Sequence, residues 1–513
     1  MSLTESGTIE KPSVADRPRG KRWLVAMTFL LVGLPAAWHL SSWPTRLRYP
    51  GELNDIEGMR LAEMLHLRRG IPIYAPATPR RFDAAIYGPL YYLLGARIID
   101  PNKPGYLPLR LVSLLGTLGC AASCALLAYW LSRSYLAAAL STLLFLSYGF
   151  VTLHGLSARS DLMALFLTFS GFLVAYRFRA SRLVLWAIPL MLIGLFYKQQ
   201  FVAAPAAVII FLVLDKRYRL GAQFAGLLAL GGLGLLALFQ YRVFAGQDFL
   251  LHIVTYNLVP ITWTRFAIGI LLFGIVFTVP LLVGLEFLRR RPDKLIACYL
   301  GCVLFLTLGI LGKEGSDSNH FLEMVLIVSC LFSALLAERI REPQRAAELL
   351  PLFVATLFLG QLFCPPGPGP DDLRRDQAIQ DFLRRDFRPG TKGLGHYAGD
   401  LVRAGLDTPV SDIWQHAALV KNGRLPDDGL AAQIRGRCFG VIILTYDLQT
   451  VRGDEGSIDA FSDRLRRVIL DNYHRVATLP LPGPEMLNEY TDRFDAWVPR
   501  LEPGAPDATS VCN

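Results

Sequence analysis

The stretch "WLVAMTFLLVGLPAAWHLSSWPTRLRYPGELNDIEG", residues 23–58, joins two unlike pieces. Residues 23–40 hold no charged side chain, close to the ~20 apolar residues that a helix needs to cross a bilayer. Directly afterwards Glu52, Asp55 and Glu57 place three carboxylates within six residues. A solvated membrane-flanking loop would account for such acids, and so would a site at the membrane face. The rest of the chain decides between them.

Composition extends the membrane reading to most of the molecule. Of 513 residues, 53% are hydrophobic and only 18% charged, with a mean hydropathy of +0.38; a soluble chain would carry about 25% charged residues. The apolar residues fall in blocks, as in a polytopic membrane protein. The net charge is +10, but the cations flank apolar blocks. Positive-inside topology explains them better than nucleic acid does. None of the eight cysteines makes a CxxC pair, so neither a zinc site nor a disulfide framework is expected. Cys438 and Cys512 could pair if their domain lies outside the cytoplasm.

About eleven candidate spans follow: residues 23–40, 108–131, 135–153, 161–177, 183–197, 200–214, 221–245, 266–288, 295–312, 320–338 and 349–363. The short pair 183–197 and 200–214 suits tilted pieces or a broken pair. Residues 1–20 are polar and read as a disordered cytoplasmic tail, and 23–40 as an uncleaved first span. With the N-terminus inside, alternate loops carry the cations: Arg133; Arg177, Arg179 and Arg182; Lys216, Arg217 and Arg219; Arg289, Arg290, Arg291 and Lys294; Arg339, Arg341 and Arg345. The short outer loops hold only Arg159, Lys198, Arg265 and Lys313. This alternation places the long loop 41–107, and the tail after "PPGPGP" at 365–370, outside the cytoplasm. The expected division is a transmembrane domain over 21–364 and an extracytoplasmic α/β domain over 365–513, in the cytoplasmic (inner) membrane.

The distinctive polar residues then share the outer face: Glu52, Asp55 and Glu57; His154, Arg159 and Asp161; Lys198; and Lys313, Glu314, Asp317, Asn319, His320 and Glu323. Carboxylates in one loop with cations in others suit attack of a hydroxyl on a sugar carbon that carries a phosphate leaving group. A carboxylate takes the hydroxyl proton, and Lys or Arg offsets charge on the departing phosphate. Outside the cytoplasm, where nucleotides are scarce, a polyprenyl-phosphate sugar is the fitting donor. Asp161 at a span start could equally be a helix cap, and Glu323 one turn inside a span could pair with Lys313.

Within loop 41–107, residues 55–69 read as an amphipathic helix that could lie in the interface plane, with Arg60, Glu63, Arg68 and Arg69 on its polar side. "IYGPLYYLLGARII", 86–99, is too short to span and reads as a re-entrant or interfacial piece. Tyr87 and Tyr92 there could contact sugar or serve as aromatic-belt anchors.

The order of "DIEG", "AEMLHLRRGIPIY", "YGPLYYLLGA", "ARSDLMALFL", "YKQQFVAAP" and "GSDSNHFLE" resembles the bacterial membrane glycosyltransferases of the C-type fold, relatives of protein O-mannosyltransferases and of the lipid A aminoarabinose transferase. The resemblance covers roughly residues 20–340. It implies an inverting transfer from a polyprenyl-phosphate sugar to a lipid, glycan or protein acceptor. Asp55, fifteen residues before Gly70, matches the family's catalytic acid. Where the family often has Glu next, this chain departs from the pattern with Ile56 and then Glu57, which is expected as a helper or metal ligand. Pro89, Leu90 and Tyr92 match its P-L-x-Y segment, with Gly88 where many members carry Lys. Arg159 and Asp161 match its Arg-x-Asp, and Asn319 to Glu323 its N-[YH]-F-L-E. Substrate contacts are expected from Glu52, Tyr87, Tyr92, Arg159, Asp161, Lys198, Lys313, Asn319, His320 and Glu323. Some members bind a divalent cation near the acid; Mg or Mn is permitted here and not required. Membrane lipids are the other expected partners, and nucleic acid is not.

The tail offers helices at 371–386, 428–436 and 457–471 and a buried strand at 438–447. Asp400, Asp412 and Asp447 could bind acceptor, though solvated loop acids are the plainer reading. The competing function is a secondary transporter or flippase, for which the short span pair is the main argument.

Overall fold

The computed structural model describes residues 19–315, 317–340, 366–445, 461–480 and 493–500, a few positions between 351 and 361, residues 447–448, and Cys512. The expected tail at 1–18 and nearly all of the expected span at 349–363 lie outside the described residues.

Helix α1 (Arg19–Arg48) enters the molecule. Its 30 residues could extend about 45 Å. Loop 41–107 then contributes α2 (Asp55–Arg68) and α3 (Pro89–Ile98). The bundle continues with α4 (Leu107–Ser132), α5 (Tyr135–Ser147), α6 (Gly149–Gly155), α7 (Asp161–Phe178), α8 (Ala187–Tyr197), α9 (Ala203–Leu214), α10 (Tyr218–Leu238) and short α11 (Phe249–Ile253). Helices α12 (Trp263–Arg290), α13 (Lys294–Ile310) and α14 (Leu322–Arg339) complete its described part. Among the described residues, five segments are long and apolar enough to cross a membrane, or six if α5 and α6, bent by 70°, form one broken span. The segments of α8, α9 and α13 are shorter apolar helices, as the short pair at 183–214 foretold. Nine of the eleven expected spans thus correspond to full-length, bent or short pieces; the expected span 23–40, within α1, is not among those segments.

Burial sorts these helices. Helix α14 is apolar all round and buried from Leu322 through Ala337, as a helix surrounded by others must be. It packs against α4, α5, α12 and α13. The segment of α10 is only 11% buried and turns its leucines outward, as a lipid-facing helix does. Small residues close the bundle. A side chain at Gly116 on α4 would run into the α7 backbone at Met163.

The C-terminal segment forms α15 (Pro370–Asp386), α16 (Ala398–Arg403), α17 (Ile413–Lys421), α18 (Asp428–Arg435) and α19 (Asp463–Asn472). A four-stranded mixed sheet runs in the order β1 (Gly393–Gly395), β2 (Val441–Leu444), β4 (Arg493–Pro499), β3 (Tyr473–Pro480). The β1–β2 pair is parallel and the others antiparallel. One core of this unit takes in Phe82 and Ala84 from the segment between α2 and α3, and Tyr256 from the segment between α11 and α12. Phe82 also forms a parallel bridge with Val410.

Two expectations about loop 41–107 are corrected. Helix α2 has the foretold bounds, capped by Asn54, whose Oδ1 accepts from the Glu57 amide at 3.2 Å. It does not lie on a membrane surface: every residue from Glu57 to Leu65 is buried, Arg60 and Glu63 included. It sits between α3 and α16. Helix α3 is internal too, with Pro89, Tyr91, Tyr92, Gly95 and Ala96 buried, which corrects the interfacial one of the two readings of 86–99. The polar side of α2 faces another domain instead of water.

Candidate functional site

Three helix-to-helix turns meet beside α2 and α3. The α6–α7 turn brings Arg159 and Asp161, the α8–α9 turn Lys198, and the α13–α14 turn Lys313 through His320. Asp161 is the knot. Its Oδ1 accepts from Lys198 Nζ at 2.5 Å and from Asn319 Nδ2 at 2.7 Å, and its Oδ2 from Arg159 Nε at 3.2 Å. Asp161 opens α7 but is fully buried and double-paired, so it is more than a helix cap. A buried carboxylate persists only with such partners. Arg159 reaches on to Asp317 at 3.2 Å, and His154 Nε2 meets Ser318 Oγ at 2.8 Å.

The cations outnumber these acids. Lys313 makes no ion pair or side-chain hydrogen bond among the described residues. Burial, and then the like charge of Lys198, push its ammonium below the ordinary lysine value. Two lysines close enough to repel, with one unpaired, form a place where an anion is favoured. His320 is within electrostatic reach of Lys198, Asp161 and Lys313. Tyr87 completes this wall, with Lys198 Nζ 4.6 Å from its ring centroid and the Arg60 guanidinium 4.9 Å from it. A side chain at Gly88 would strike the Phe196 carbonyl. Backbone therefore fills the place where the resemblance puts a lysine, and Lys198 brings an ammonium over the neighbouring ring.

The first-loop acids part ways. Asp55 opens α2; its side chain lies outside the described part of the structure. Glu57 is fully buried against Arg110, with Nε to Oε1 at 2.9 Å and Nη2 to Oε2 at 2.6 Å. Oε1 also accepts from the Ala158 amide at 2.5 Å, and Oε2 from the Leu53 amide at 2.7 Å. A carboxylate offers about four acceptor positions, and all are filled. Arg110 in turn spends its remaining donors on the carbonyls of Arg46, Tyr49 and Gly51. Glu57 thus holds the start of α2 to Arg110 and Ala158, which leaves it no acceptor position for a proton or a metal ion in this arrangement. Glu52 is buried against Gly58 and Gly399, on the side of the C-terminal domain. Tyr92 is buried with its hydroxyl 3.0 Å from Arg60 Nη1. Glu323 accepts from Tyr299 Oη at 2.8 Å and does not pair with Lys313.

Among the described residues no three His, Cys, Asp or Glu come together as a metal site, and Glu57 has no lone pair to give. The described donors do not fit a divalent cation, so no step below is routed through one.

Sequence reasoning missed two arginines. Arg110 stands one turn inside the expected span 108–131, and an arginine at that depth signals a buried partner. Arg60 looked like solvent-facing charge, yet it binds Glu63 at 2.5 Å and Asp412 at 2.9 Å. Asp412 and Asp400 are likewise buried and paired, not solvated loop acids.

No protein-family model and no curated protein matches the chain. Solved structures do. The crystal structure of ArnT from Cupriavidus metallidurans in the apo state is 10% identical and covers 92% of this chain and 98% of that one, with a TM-score of 0.55. The structure of ArnT from the same organism bound to undecaprenyl phosphate is also 10% identical, covers 91% and 98%, and has a TM-score of 0.54. At that identity the likeness is one of fold. The chain is a helical polytopic membrane protein with an ArnT-like fold and a small C-terminal mixed sheet.

Proposed function

We propose that this chain is an inverting membrane glycosyltransferase that moves a sugar from a polyprenyl-phosphate donor to a lipid, glycan or protein acceptor at the outer membrane face. The observation that carries the reading is the pairing of Arg159 and Lys198 with buried Asp161, with Lys313, unpaired among the described residues, within electrostatic reach of Lys198, in a fold whose solved relative binds undecaprenyl phosphate. Fixed cations in a site shielded from water stabilise charge that grows on a leaving phosphate.

In this reading the lipid phosphate sits against Lys198, Lys313 and Arg159. The acceptor hydroxyl attacks the anomeric carbon from the opposite face. A glycosidic C–O bond forms, the C–O bond to phosphate breaks, and the lipid departs as polyprenyl phosphate. Asp55 takes the hydroxyl proton. The Ala158 amide donates to Glu57, which supports this placement: the first turn of α2, where Asp55 stands, abuts the residue before Arg159. The C-terminal domain lies outside the cytoplasm, a reading supported by the cation alternation and by the Cys438–Cys512 disulfide.

The test is sugar transfer by the reconstituted protein, with labelled polyprenyl-phosphate sugars and a membrane extract as acceptor source. Wild type should transfer label, and Asp55→Asn should lose at least about 100-fold with thermal stability unchanged. Equal transfer by both would remove Asp55 from the role of base.

A further inference from the structure

The C-terminal domain reaches the cation site through one line of charged contacts. Asp412 caps α17, its Oδ1 accepting from the Gln415 amide at 2.8 Å. Its Oδ2 points the other way and accepts from Arg60 Nη2 at 2.9 Å. Arg60 Nη1 is held by Glu63 at 2.5 Å and the Tyr92 hydroxyl at 3.0 Å. A guanidinium anchored at both ends of its planar fork has one orientation, and this one puts it against the Tyr87 ring. Lys198 contacts the same ring.

One aromatic ring attracts cations, but two cations on one ring also repel. The arrangement holds because each cation has its own acid: Asp161 for Lys198, Glu63 and Asp412 for Arg60. The backbone reinforces the link. The Phe82 amide donates to the Pro409 carbonyl at 2.9 Å, and the Ser411 amide to the Phe82 carbonyl at 3.0 Å. Glu63 Oε1 accepts from the Ala85 amide at 2.8 Å and from Ser411 Oγ at 3.3 Å. The segment that ends in Tyr87 is therefore clamped between α2 and the loop that carries Asp412.

We propose that Asp412 is a positioning residue for the donor-phosphate site: it fixes Arg60, Arg60 fixes the Tyr87 ring, and the ring holds Lys198 in place. The C-terminal domain thereby becomes part of the site instead of a cover over it. The proposal rests on the reading of Lys198 as a donor-phosphate cation. The two oxygens of Asp412 do separate work, so Asp412→Asn divides them. Asparagine keeps a carbonyl oxygen for the cap and presents an amide donor, not an acceptor, to Arg60.

The test reads Lys198 directly. In the purified full-length protein its ammonium is almost wholly buried, its side chain 5% exposed, and acylation by a water-soluble amine reagent, followed by peptide mass spectrometry, should be slow. Asp412→Asn and Arg60→Lys should each raise the Lys198 rate at least about threefold, with exposed Lys294 unchanged. The control is Asp428→Asn, an exposed acid of the same domain, which should behave as wild type. An unchanged Lys198 rate in Asp412→Asn overturns the proposal. So does an equal rise at every lysine, which would mark general loosening. Retention of undecaprenyl phosphate, measured on the same samples, should fall about fivefold in Asp412→Asn. Failure of wild type itself to retain that lipid would count against the donor reading and leave the labelling result to judge the positioning role.

Discussion

Glu57 and Asp161 are two acids with opposite legibility. Asp161 at a span start was readable either as a helix cap or as an acid that must find partners, and Arg159, Lys198 and Asn319 are those partners. Glu57 looked reactive because it stands two residues from Asp55. Spacing along a helix cannot reveal that an arginine 53 residues later fills its lone pairs. The consequence is testable. Glu57→Gln turns two acceptor positions into donors facing Arg110 and the Ala158 or Leu53 amide. Breaking a buried pair costs about 3–5 kcal/mol, so the variant should show a clear fall in thermal stability alongside any loss of transfer. A pure loss of turnover with stability intact would return Glu57 to the chemistry. Lys313 carries a pH signature. Its ammonium is held below the usual lysine range by burial and by Lys198, so it loses its proton at lower pH than a free lysine. Anion affinity that depends on it is present below that depressed value and lost as pH rises through it.

At the scale of elements, helix bounds were readable and their surroundings were not. The α2 limits followed from the amphipathic pattern over 55–69, close to the observed Asp55–Arg68. Its burial did not follow, because charged residues on one face ordinarily mean water, and here they meet Asp412 and Tyr92. The same holds for α3, whose tyrosines pack inward. Tyr91 Oη donates to the Ala158 carbonyl at 2.7 Å, tying α3 to the turn that carries Arg159. Gly88, at the N-cap of α3, sets how closely this element approaches the end of α8. Gly88→Ala puts a methyl onto a backbone carbonyl that cannot swing aside. It should push Tyr87 from Lys198 and cut lipid-phosphate retention at least about threefold, with the far smaller change expected of Gly95→Ala, which meets only the flexible end of Met64. Equal effects would mean that the approach at Gly88 does not matter.

At the scale of the molecule, hydropathy and the alternation of loop cations made a polytopic chain plain, and motif order pointed to its fold. What stayed hidden was three-dimensional: α5 and α6 break by 70°, and the C-terminal core closes over Phe82, Ala84 and Tyr256 from loops hundreds of residues away. Cys438 and Cys512 were readable as a pair only under an assumed location. Orientation is open to a direct check in intact spheroplasts. After blocking free thiols, an impermeant maleimide should label both cysteines only once a membrane-impermeant reductant has been added. Labelling that requires permeabilised cells would place the domain inside.

The measurement that bears most directly on the central claim is retention of undecaprenyl phosphate against undecaprenol by the purified protein, read by native mass spectrometry in wild type and Lys313→Gln. Lys313 has no acid partner among the described residues, so its removal strands no buried carboxylate. Wild type should hold the phosphate lipid at least tenfold better than the alcohol, and Lys313→Gln should lose most of that preference with its stability unchanged. Equal retention of both lipids by wild type, or an undiminished preference in the variant, would contradict a phosphate site at these lysines.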